Sequence, residues 1–150
     1  MGADIHMYAE FRNSAGQWEE IPGYEPFADR NRHVFSFFSE GFVRSDYDWG
    51  FWHVTPYPII DEARGLPGDV SLSIKAKSDE WGTGGSGHSW LSVDELVSYD
   101  YNKPLRERGV DVPEEFVKLT IRKSLGEKYF LELAELQKQK AERLVFWFDF

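Results

Sequence analysis

"GADIHMYAEFRN", residues 2–13, is the stretch whose reading decides the fold. Read as a strand, it alternates. Ala3, Ile5, Met7, Ala9 and Phe11 fall on one face, and Asp4, His6, Tyr8, Glu10 and Arg12 fall on the other. The first face asks for a core. The second sets a carboxylate, an imidazole, a phenol, another carboxylate and a guanidinium in a row, which is not the make-up of an ordinary wet face. Its later half, Tyr8 to Arg12, runs toward a turn, and Glu10 and Arg12 are expected to be solvated. Its earlier half, Asp4 and His6, is where a site is expected, with Asp4 orienting His6.

Outward from this strand, "NSAG" reads as a turn and "QWEEI" as a second strand, so residues 3–22 form a β-hairpin. At the other end, "RLVFWFDF" reads as a central strand, with Leu144, Phe146 and Phe148 on one face and Val145, Trp147 and Asp149 on the other. Asp149 is odd in such a run: it either faces the same site or marks the strand's end. "NRHVFSFFSE" fits one or two helical turns with Gly41 as C-cap, or a strand. Asp69 suits the N-cap of a helix of about ten residues. Residues 82–87, "GTGGSG", read as a flexible or tightly turning loop. Ser92 and Glu95 form a capping box, Pro113 suits a first helical turn, and a one-sided stripe of Tyr129, Leu133 and Leu136 marks a helix over 127–142. Together these predict one α+β domain, 1–150, with a small, mainly antiparallel sheet, three to five helices and a long aromatic loop in the middle.

Composition narrows the function. The chain has 150 residues, no Cys, six Trp and twelve Phe. Without Cys there are no disulfides, thiolate metal sites or Cys nucleophiles. No run approaches the roughly 20 apolar residues of a membrane span, and no leader-like start is present, so a cytoplasmic protein with no membrane partner is expected. Residues 1–102 carry seven Lys/Arg against seventeen Asp/Glu, a balance of −10, within a chain of net charge −9. Long nucleic acid needs a basic surface, so it is not an expected partner. A small anionic ligand needs only a few local donors.

Several groups can supply them. Asp4-x-His6 on one strand face opens the metallophosphoesterase pattern, but the later G-N-H-[DE] is missing, and no metal and no cofactor are expected. "DRNRH" (29–33) offers Arg30, with Asn31 as either a ligand or an N-cap. "ARGLPGDV" (63–70) sets Arg64 just before a helix start, where a bidentate guanidinium and helix amides suit an oxyanion. Asp69 lies in the same stretch. "GGSGHSW" (84–90) puts His88, Ser89 and Trp90 after glycines whose amides suit phosphate. The plainer readings are Arg64 paired with Asp61, Glu62 or Asp69, solvated arginines, and aromatics spent on the core.

These motifs, "MGADIH", "DRNRHVFSFF", "RGLPGDV", "GHSWLSVDEL" and "LVFWFDF", occur in an order that resembles a family of small uncharacterised phage and prophage proteins. Many members read His-Ser-His-Ser before the Trp, and here Ser86 falls where the first His would be. The resemblance implies a phage-type protein of the host cytosol and lends no established activity. The expected function is a non-enzymatic binder of a nucleotide or cyclic nucleotide, an anti-defence sponge that sequesters a host signal, with ligand contacts from Asp4, His6, Arg30, Asn31, Arg64, Asp69, His88, Ser89 and Trp90. A homo-oligomer is compatible with that role. The alternatives are a phosphodiester hydrolase using His6 and His88 as acid and base, metal-free or metal-assisted, and a host-protein interaction module built on the aromatic loop 42–58.

Overall fold

The computed structural model describes residues 4–39, 54–107, 114 and 118–149. The expected loop 42–58, with Trp49, Phe51 and Trp52, the cap at Gly41 and the turn at Pro113 lie wholly or mostly outside them. Contacts gather the chain into two units, one of residues 1–30, 63–98 and 131–150, the other of residues 31–62 and 99–130. No helix among the described residues is long and apolar enough to cross a membrane.

The first unit is built on a four-stranded sheet. Strand β1 (Asp4–Arg12) turns into β2 (Trp18–Glu20), as the hairpin reading expects. The order is β2-β1-β6-β4, antiparallel throughout, with β4 at Gly85–Ser92 and β6 at Arg143–Asp149. The two long aromatic and apolar strands, β1 and β6, therefore sit in the middle, where both faces are covered. Ile5, Met7 and Ala9 share one face with Leu144, Phe146 and Phe148, all buried. The other face carries a smaller cluster of Tyr8, Val145 and Trp147, covered by Ile74 of helix α2 (Leu72–Trp81).

That cover corrects the first reading of Glu10. Instead of being solvated, it has no exposed surface, and its carboxylate accepts from Arg143 Nε at 2.6 Å and from the Ser71 amide at 2.8 Å. A charge can be held there only because it is paired and hydrogen-bonded. Arg12 is exposed, as expected. Asp69 is not the helix cap: Ser71 holds that position, and Asp69 accepts from Arg143 Nη1 at 2.8 Å and from Trp18 Nε1 at 3.0 Å. An Arg with a vacant donor outcompetes a helix amide for that carboxylate.

The glycine run is a tight turn only in its first half. Gly82–Gly84 form a 3-10 turn and Gly85 already opens β4, because β6 needs a partner along its second edge. The irregularity is confined to a bulge between Ser86 and Ser89, with Gly87 at φ +66°. The capping box is present: Ser92 N donates to Glu95 Oε1 at 2.9 Å and Glu95 N to Ser92 Oγ at 3.1 Å, opening helix α3 (Val93–Ser98).

In the second unit, helix α1 (Arg32–Phe38) buries Phe35, Phe37 and Phe38. Asn31 is its N-cap, accepting from the amides of His33 and Val34. Phe37 meets the rings of Tyr99, Tyr101 and Tyr129. The Tyr101 and Tyr129 hydroxyls bond at 2.6 Å, and burial pushes Tyr101 up to about 12. A short ladder pairs β3 (Val54–Thr55) with β5 (Arg106–Glu107), and helix α4 (Ile121–Leu125) buries Ile121 and Leu125. Helix α5 runs from Glu127 to Lys138, ending short of 142 because the chain reverses through Lys140, at φ +60°, to enter β6. The protein thus has five α-helices beside a four-stranded antiparallel sheet among its described residues, the α+β class that its sequence predicts.

Removing the Glu10 carboxylate leaves the Arg143 guanidinium buried and short of its main partner. Glu10→Ala is expected to cost about 3–5 kcal/mol, measured by urea unfolding. The double variant Glu10→Leu/Arg143→Met should lose clearly less.

Candidate functional site

His6, Trp147 and His88 come from three adjacent strands and project from one sheet face. His6 stands opposite Trp147 in the β1–β6 register. The His88 ring stacks on the same indole from the β4 side, with centroids 5.5 Å apart and planes at 23°. The two imidazoles thus flank one indole. Trp81, the last residue of α2, brings its ring within 4.4 Å of His6 and remains 38% exposed. Gly85 permits this crowding, since a Cβ there would lie 3.1 Å from Trp147 Cδ1 and 3.3 Å from Trp81 Cβ.

The carboxylates are shared differently from expectation. Asp149, not Asp4, holds His6: Nε2 and Oδ2 are 2.6 Å apart, and both side chains are about three-quarters buried, at 23% and 24% exposure. So Asp149 does face the His6 side. Asp4 instead receives a two-pronged bond from Arg30, Nε to Oδ1 at 2.9 Å and Nη2 to Oδ2 at 2.8 Å. This bond holds the Asp4 carboxyl below its ordinary range. Burial lowers the pKa of His88, so its neutral ring is favoured at neutral pH. The Nε1 of Trp147, in a side chain with no exposed surface, has no acceptor among the described residues. Such an unspent buried donor costs about 1–3 kcal/mol, and sites of this kind are where folds give up stability for function.

The remaining predicted site residues stand in other groups. Arg64 makes a two-pronged pair with Glu95, at 2.8 and 2.6 Å, and lies 4.7 Å over the Trp90 ring. Its sequence neighbours Asp61, Glu62 and Asp69 are not the partner. Ser89 is buried and its Oγ accepts from the Arg64 amide at 3.0 Å. Asp69 belongs to the Glu10–Arg143 group, and Asn31 to the cap of α1. Among the described residues, no three His, Asp or Glu side chains are grouped to hold a metal ion.

No family model, curated protein or solved structure matches this chain. Functional assignment therefore rests on the residues themselves.

Glu95 carries a titration that can be followed. Its bond to Arg64, aided by Ser92, lowers it from 4.5 to about 2. Its contribution is fully present above pH 4.5 and is lost as pH falls toward 2. The pair is about one-third exposed and therefore screened, so Glu95→Gln should cost about 1 kcal/mol or less at pH 7. Acid-unfolding curves should show the variant less pH-sensitive than the parent across that window.

Proposed function

We propose that the protein binds a small anionic ligand with a flat aromatic part, of the nucleotide or cyclic-nucleotide class, at the cluster of His6, Trp81 and His88. The observation that carries this reading is Trp81, an indole left 38% exposed although it is seated against the His6 ring. An exposed, immobilised indole is a surface on which a base can stack. Potential anion donors stand on the same strands as this cluster or are bonded to them. Arg30 spends Nε and Nη2 on Asp4, which leaves Nη1 for an oxyanion, and its side chain is 53% exposed. His88 adds a ring N–H group, and His6, whose Nε2 is held by Asp149, adds one only when protonated. In the phage-type setting that the sequence resemblance implies, such a protein would withdraw a host signalling nucleotide.

A second reading, hydrolysis of a phosphodiester, draws support from one observation, the short contact of His6 with Asp149. A carboxylate that orients an imidazole is a recurring element of general acid–base catalysis. The indole of Trp147 stands between the two imidazoles, so acid and base would have to act from either side of it. This makes binding without chemistry the preferred reading.

Incubation with a panel of mono-, di- and cyclic nucleotides, followed by denaturation and chromatography, decides between them. Intact recovery of a depleted nucleotide is the expected outcome. A changed nucleotide would establish the hydrolase, and no depletion of any nucleotide would dispose of both. Trp81→Ala should weaken binding about tenfold or more, read by isothermal titration. Arg30→Ala should weaken it as well.

A further inference from the structure

A cleft of about 690 Å³ lies along the outer edge of β2, bounded on its other side by the start of α2. It shares no residue with the His6 cluster. Trp18, Glu19 and Glu20 line it from the strand, and Asp69, Ser71 and Leu72 line it from the helix side.

Backbone groups in this cleft are unusually free. The bonds Asn13 N to Gln17 O and Ile21 N to Ala9 O fix which β2 residues face β1. With Phe11 opposite Glu19, these are residues 17, 19 and 21. Trp18 and Glu20 therefore turn their N–H and C=O groups outward, as an edge strand does. Across the cleft, Ser71 makes no side-chain cap bond, and the amides of Leu72, Ser73 and Ile74 find no acceptor among the described residues. The Ser71 hydroxyl is itself without a partner among the described residues, in a residue only 4% exposed. Leu72, by contrast, is an apolar side chain 88% exposed.

Outward strand groups, uncapped helix amides, an unspent hydroxyl and an exposed Leu are the complement of an extended peptide, with its carbonyls, amides and alternating side chains. Charge selects which peptide. Glu19 is exposed and makes no ion pair among the described residues, and the Asp69 side chain stays 65% exposed although it is bonded to Arg143. A second copy of β2 would bring Glu against Glu, a pairing that like charges oppose. We propose that this edge takes up an extended segment of a partner protein bearing Lys or Arg, added as a fifth strand beside β2.

The test is an amide NMR titration of the isotopically labelled full chain with a short blocked peptide alternating Val and Lys. The expected result is movement of the Trp18, Glu20, Leu72, Ser73 and Ile74 resonances, with little change elsewhere. Glu19→Lys, an exposed change that the fold tolerates, should weaken the titration at least about tenfold. Unmoved resonances, or equal movement with a Val–Glu peptide, would overturn the proposal. So would the same shifts on raising protein concentration alone, which would assign the edge to a second copy of this chain.

Discussion

Glu10, with no exposed surface, faces Arg143, 5% exposed, across the middle of the sheet. The pair occupies directly opposed positions in the β1–β6 register. A slip of one residue would put the two charges on opposite faces, one of them in the aromatic face where nothing could satisfy it, so the pair fixes the register of the two central strands. The same two side chains reach out of the sheet. Glu10 takes the Ser71 amide and Arg143 takes Asp69, which anchors the segment that becomes α2. One ion pair thus sets the alignment of the sheet and the point where its covering helix begins.

The placement of the candidate site follows from that alignment. With Glu10 opposite Arg143, His6 stands opposite Trp147 and Asp4 opposite Asp149. The offset between His6 and Asp149 is what lets a carboxylate from one end of the chain hold an imidazole from the other. α2, started at Ser71, is long enough to deliver Trp81 onto His6. The buried pair and the largely buried cluster lie on one face of the same two strands, so the pair that sets the register also sets the cluster.

The architecture was readable because its signals are local. Alternation in residues 3–11, the Ser92–Glu95 box and the stripe of Tyr129, Leu133 and Leu136 each declare themselves within one or two turns of chain. The face assignment of β1 was readable too. What the row of polar residues could not declare was its depth, because Glu10 is buried by partners drawn from residues 71 and 143. Arg64 illustrates the same limit: three acidic neighbours in sequence offered themselves, and the partner is Glu95. The glycines at 85 and 87 misled by composition, since flexible residues also serve where a strand must pass close to an indole. Asp149 was the one distant partner with a visible signal, a carboxylate in an otherwise apolar strand.

His6 and Asp149 are separated by 143 positions along the chain. Contacts between positions so far apart carry a large loop-closure cost, which must be met before they stabilise the sheet. Until that loop closes, His6 has no carboxylate, Trp147 has no histidine on its β1 side and Trp81 has nothing to lean on. The cluster therefore depends on a contact that local chain segments cannot form by themselves. The same contact fastens β1 to β6 by their side chains as well as by their backbones, close to the end of the shared ladder.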